Sequence, residues 1–205
     1  SLAFPDERTI LVNERNGKLR IIRDGVLQAQ PVWEAPPHPA TDNGLQFITL
    51  HPRFAENRLV YLSHPKRDDK RNTLAVSRGR FDGTTLADVK EIFVADAWET
   101  SGNMAGRVFF GPDGMLYVTV GDRDRRCCDG SEDASLRMKA QSLDNHVGKT
   151  LRLKDDGTAP PDNPFVGRAG AKPEIFTYGH RNGFGLRFHP DTGELWQMEI
   201  GPMGG

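Results

Sequence analysis

The chain has 205 residues, 37% hydrophobic and 27% charged, with 22 glycines and 14 prolines. That balance is globular and turn-rich, neither disordered nor collagenous, and leaves little room for long helices. Lys and Arg total 27 against 28 Asp and Glu, a net charge of -1, so no basic surplus exists to neutralise a phosphate backbone, which argues against a nucleic-acid partner.

In chain order, Leu2-Ala3-Phe4-Pro5 leads to Ile10-Leu11-Val12: an apolar strand, a turn begun by proline, and a second strand. Lys18 to Arg23 reads as a further strand closed by an Asp24-Gly25 turn. Residues 30–43 hold Pro31, Pro36, Pro37 and Pro39 and read as an extended connector. Ile48-Thr49-Leu50-His51-Pro52 then leads to Leu59-Val60-Tyr61-Leu62, repeating the opening grammar. Lys66 to Asn72 is a charge run expected at a solvated hairpin tip, and Thr73 to Ser77 reads as the next strand. Val108-Phe109-Phe110-Gly111-Pro112 leading to Met115-Leu116-Tyr117-Val118 is a third copy. A polar excursion from Asp122 to Asn145 follows, in which Ser135 to Ala140 suits a helical turn or two. After the strand Thr150 to Leu153, the fourth copy runs from Leu186-Arg187-Phe188-His189-Pro190 to Glu194-Leu195-Trp196.

About four strands per repeat, in units too small to bury their own faces, predict an all-β fold of the β-propeller type. A sandwich would explain alternating strands and turns but not the recurring cassette that ends in proline. The chain holds about three to four cassettes, so one domain is expected across residues 1–205, an incomplete ring with no second domain. Nothing approaches the roughly 20 apolar residues of a bilayer span, and Ser1-Leu2-Ala3-Phe4-Pro5 shows no basic leader, so no signal peptide is read here.

Cys127 and Cys128 are adjacent and cannot clamp two distant segments; free thiols, a vicinal disulfide and bonds to other chains all remain open. Asp122, Asp124, Asp129, Glu132 and Asp133 lack the pattern of a calcium loop and are expected in a solvated loop. His51 and His189, beside cassette prolines, are expected to be structural, and His38 and His64 exposed. Trp33, Trp98 and Trp196 are expected to pack within or between blades.

The blocks Asn57 to Ser63, Gly106 to Gly114, Leu116 to Arg123, Ala140 to Leu143, Gly148 to Leu153, Asp162 to Phe165, Tyr178 to Asn182 and Gly201-Pro202 together resemble the soluble quinoprotein glucose and aldose sugar dehydrogenases. The resemblance runs in order over nearly the whole chain. It implies the N-terminal half to two-thirds of a six-bladed propeller, exported to the periplasm or secreted. The implied reaction is oxidation of an aldose sugar or related alcohol by hydride transfer to pyrroloquinoline quinone (PQQ) with calcium (Ca2+), in the presence of an electron acceptor.

Residue by residue, the resemblance implies that Arg181 faces the quinone carbonyls, that Asn182 contacts the cofactor, and that the carbonyls of Gly201 and Pro202 ligate calcium. Asn103, in Asn103-Met104-Ala105-Gly106-Arg107, stands where the family has its histidine base, and an amide accepts no proton at neutral pH. Asp42 stands where the family has a substrate-contacting glutamine, so Asp42 and Asn103 are the expected substrate contacts. Gly183-Phe184-Gly185 departs from the family's Pro-Gln-Gly, and Ile200 and Met203 replace a histidine and an arginine. Two further readings are a non-catalytic propeller binding sugar or quinone, and a half-ring that pairs with another copy or with a partner supplying the missing blades.

Overall fold

The computed structural model describes residues 1–36, 44–124 and 134–201; Asp42, Pro202 and both cysteines lie outside them. The cassettes form antiparallel sheets in sequence order. The first contains β1 (Leu2–Asp6), β2 (Thr9–Asn13), β3 (Lys18–Arg23) and β4 (Val26–Leu27), with β5 (Trp33–Glu34) also on β3. The second is β6 (Phe47–Leu50), β7 (Leu59–Arg67), β8 (Asn72–Phe81) and β9 (Leu86–Val94), and the third is β10 (Ala105–Phe110), β11 (Leu116–Val120), β12 (Lys149–Leu153) and β13 (Ile175–Tyr178). The last sheet is the hairpin β14 (Gly183–Phe188) and β15 (Leu195–Glu199). The short helices α1 (Phe54–Asn57) and α2 (Ala134–Met138) interrupt this order, the second running into a 3-10 turn at Lys139–Gln141.

Successive sheets meet through their first strands: β1 lies against β6, β6 against β10, and β10 against β14. These are therefore the inner strands of a propeller, which amounts here to three blades and half of a fourth. Period-two alternation explains how the blades stack. On β7, Val60 and Leu62 join Leu11, Leu19 and Ile21 of the first blade in one core, whereas Tyr61 between them joins Val118 and Leu151 of the third blade in another. Middle strands of the second and third blades are thus covered on both faces, and every residue of β11 and β12 is buried.

Hydroxyls staple the blades. Ser63 on β7 donates to the Gly106 carbonyl at 2.6 Å, and Thr119 on β11 donates to the Gly183 carbonyl at 2.7 Å. Both acceptors lie on the inner strand of the next blade. The His-Pro cassettes have a local cause: His51 Nδ1 accepts the Arg53 amide at 3.0 Å, and His189 Nδ1 accepts the Asp191 amide at 3.2 Å. Each ring caps the turn its proline begins.

Some expectations need correcting. His64 is buried, with Nε2 hydrogen-bonded to Ser77 Oγ at 2.9 Å, because the β7–β8 ladder continues past Leu62 as far as Arg67 and Asn72. Asp122 and Asp124, expected in a solvated loop, are only 4% and 0% exposed. Trp196 is 63% exposed, and Met198 and Ile200 are exposed beside it, because no described strand covers β15.

Candidate functional site

The site is built where the chain enters the inner strands β10 and β14. Two loops, 102–104 and 121–124, are laced together there: Asn103 N–H donates to Asp124 O, Arg123 N–H to Asn103 O, and Gly121 N–H to Met104 O, at 3.0–3.2 Å. The fit is tight enough to require glycine. At Gly102 (φ +105) a Cβ would lie 2.1 Å from the Arg123 carbonyl oxygen. Ala105 and Arg123 also hold positive φ, at 56° and 61°, conformations that cost a side-chain-bearing residue roughly 1–3 kcal/mol. Arg123 is anchored through hydrogen bonds to the Asn72 side chain and carbonyl.

This lacing delivers Asn103 into a directed hydrogen-bond chain. Asn103 Nδ2 donates to Asp122 Oδ1 at 2.9 Å, and Asn182 Nδ2 donates to Asn103 Oδ1 at 3.3 Å. An ionised carboxylate only accepts, so Asp122 sets the amide orientation of Asn103, and Asn103 sets that of Asn182. The acceptor Oδ1 of Asn182 is left buried with no hydrogen-bond partner among the described residues, an arrangement that costs about 1–3 kcal/mol unless a donor arrives. Burial raises the Asp122 pKa, although its bonds from Asn103 and the Asp124 amide oppose the shift.

Arg181 belongs to the same corner. Its carbonyl accepts the Asp122 amide at 2.7 Å, its own amide donates to Glu199 Oε2 at 2.6 Å, and Nη1 donates to the Ile200 carbonyl at 2.6 Å. Nη2 lies 3.9 Å from Asp124 Oδ2. Glu199 Oε1 meets His180 Nδ1 at 2.6 Å, and His180 Nε2 meets Thr177 Oγ1 at 2.7 Å. The carboxylate requires a proton on Nδ1, so in the neutral ring Nε2 accepts from Thr177 and both nitrogens are occupied. Burial works against the charge on Glu199, but the Arg181 amide and His180 more than offset it and hold the carboxyl below its ordinary range.

Of the expected site residues, Asn103, Arg181 and Asn182 come together, and Gly201 is half-buried beside Ile200. Asp42 and Pro202 lie outside the described residues. Sequence reasoning missed Asp122 and Glu199. A signal for Asp122 was present: it stands two residues beyond β11, whose five residues are all buried. Among the described residues no group of three or more His, Cys, Asp or Glu is placed to hold a metal ion. No helix among them is long and apolar enough to cross a membrane.

The glucose / sorbosone dehydrogenase family model matches residues 1–205. An aldose sugar dehydrogenase of Escherichia coli is 35% identical over 100% of this chain and 54% of its own length. Quinoprotein glucose dehydrogenase B of Acinetobacter calcoaceticus is 30% identical over 97% of this chain and 45% of its own. The solved PQQ-bound aldose sugar dehydrogenase of Streptomyces coelicolor superposes with TM-score 0.73 and 27% identity, over 94% of this chain and 53% of that one. The chain spans about half the length of the curated relatives it matches.

Proposed function

The chain belongs to the glucose / sorbosone dehydrogenase family, and we propose that it forms the N-terminal part of a PQQ-dependent dehydrogenase oxidising an aldose sugar or related alcohol. The observation that carries this reading is the Asp122–Asn103–Asn182 chain beside Arg181 at the mouth of the inner strands. When bound, the quinone supplies the hydride acceptor.

The donor set fits that group. PQQ carries carboxylate and carbonyl oxygens, which suit the planar fork of Arg181, and pyrrole N–H, which suits the buried Oδ1 of Asn182. Glu199 and the Ile200 carbonyl hold Arg181 in place before any ligand arrives, so binding orders little side chain. Calcium would take the carbonyl oxygens of Gly201 and Pro202. Asn103 cannot remove the substrate's hydroxyl proton; it would orient the hydroxyl with its amide while Asp122 keeps that amide in one rotamer. Substrate contact by Asp42, an external electron acceptor, and a periplasmic or secreted location are part of the same proposal.

The test is titration of the chain with PQQ, with and without calcium, followed by quinone absorbance and thermal shift. Saturable, calcium-dependent binding that Arg181→Gln abolishes is expected; a folded chain that binds no quinone rejects the reading. With quinone bound, Asn103→His should raise aldose-driven dye reduction by about 10²-fold, the scale of a positioned general base. Asn103 also favours a second reading, a propeller that binds sugar or quinone without turnover, which predicts saturation and no gain in that variant. Exposed Trp196 and Met198 favour assembly with another chain, which predicts a mass well above that of one chain in size-exclusion chromatography.

A further inference from the structure

The inner strands β1, β6, β10 and β14 surround a second feature, a cavity of about 230 Å³ lined by Ala3, Thr49, Arg107 and Arg187 among others. Arg107 enters it from β10 and Arg187 from β14. Each guanidinium lies over an aromatic ring, Arg107 at 5.1 Å from the Phe47 centroid and Arg187 at 4.6 Å from that of Phe109. Among the described residues, neither side chain has an ion-pair partner or a hydrogen-bond acceptor, and Arg107 Nε is buried without one. Charged neighbours elsewhere are treated differently: Arg152 is paired with both Asp113 and Asp162, and Arg20 with Glu14.

Arg107 and Arg187, with the Ser1 amine beside Arg107, face one small cavity and repel one another, and an arginine cannot escape by losing its proton in ordinary conditions. Burial and the charge of Arg187 both lower the Arg107 pKa, and no acidic group acts on it. A cation over a ring recovers only about 0.5–2 kcal/mol; Nε of Arg107 stays buried without an acceptor, and the fork of Arg187 is open at the rim of the cavity. Such forks match the oxygens of carboxylate and phosphate. The volume, below the usual range of roughly 300–1,000 Å³ for a drug-sized ligand, limits the occupant to a small one.

We propose that this inner cavity is an oxyanion site, in which Arg107 and Arg187 together hold one small ligand carrying a phosphate or carboxylate group. It is separate from the Arg181 corner: none of Asn103, Asp122, Arg181 and Asn182 lines the cavity, and Arg107 is four residues beyond Asn103 and Arg187 five beyond Asn182. The site does not depend on the quinone reading.

The experiment uses inorganic phosphate as the probe, followed by thermal shift and 31P line broadening, against chloride at equal ionic strength. Phosphate should stabilise the chain saturably where chloride does not. Arg187 is exposed, so Arg187→Gln should fold, and it should weaken phosphate at least roughly tenfold, the loss expected for a charge-assisted hydrogen bond. Arg187→Lys, which keeps the charge and loses the fork, should weaken it less, and Arg181→Gln should leave phosphate affinity unchanged. Acetate competing with phosphate extends the site to single carboxylates; acetate without effect narrows it to phosphate-like ligands. Equal stabilisation by chloride, undiminished binding in Arg187→Gln, or binding lost only in Arg181→Gln overturns the proposal.

Discussion

The second and third blades and the hairpin β14–β15 are written in the same alternating pattern, yet only the former are closed. On β11 both faces are covered, with the adjacent Val118 and Thr119 only 0% and 1% exposed, while on β15 Trp196 and Met198 stand 63% and 67% exposed. The difference lies in neighbours rather than in the strands themselves. A blade face is apolar because the next blade is meant to cover it, and full burial of such a side chain is worth about 1.5–3 kcal/mol. The middle of the molecule has collected that energy and the end strand has not.

Substitutions sharpen this contrast. Leu116→Ala removes a side chain sealed between blades and should cost about 2–5 kcal/mol in urea unfolding. A cost below 1 kcal/mol would mean that the third blade is not closed as described. The two site carboxylates, Asp122 buried and Glu199 half-buried, make a subtler test because their shifts have opposite signs. The pKa of Glu199 is depressed by its partners, so its contribution is complete above the ordinary carboxylate range near 4.3 and is lost as pH falls through the lower folded value. The pKa of Asp122 is raised, so the folded chain holds that proton more tightly, and stability falls as pH rises from the unfolded value through the folded one. Thermal unfolding between pH 3 and 7 should therefore flatten with Glu199→Gln and steepen upward with Asp122→Asn. The same slope in both variants would show that one assignment is wrong. At the bottom of the scale, Trp196→Ser on the open face should change unfolding free energy by no more than about 0.5 kcal/mol.

The site shows a related contrast between its two arginine environments. Arg181 is held by the Ile200 carbonyl and lies near Asp124, so its orientation is settled in advance. Arg107 and Arg187 have only aromatic faces. A pre-oriented cation suits a ligand whose position matters for chemistry; cations facing a cavity with no acidic partner among the described residues suit the proposed oxyanion.

Much of this was legible before any coordinates. Proline-bounded cassettes located the inner strands and the hairpins following them, and the match of Tyr178 to Asn182 pointed at Arg181 and Asn182. The polar run beginning at Asp122 misled, because composition cannot distinguish a solvated acidic loop from a carboxylate tucked beneath a neighbouring strand entrance. His64 misled for a similar reason: the end of the apolar run at Leu62 is not the end of the hydrogen-bonded ladder, which polar residues can continue.

Local order, then, was determined by the sequence alone: alternation with period two, turns where proline and glycine leave few backbone choices, and too few cassettes for a closed ring. Only tertiary structure decided which groups meet. Asn103 and Asn182 are 79 residues apart, and Arg107 and Arg187 lie on different blades. Their proximity follows from the propeller placing each inner strand beside the next, so that residues at equal depth become neighbours. No pattern within a single strand encodes that relation, because it arises from the angle between sheets.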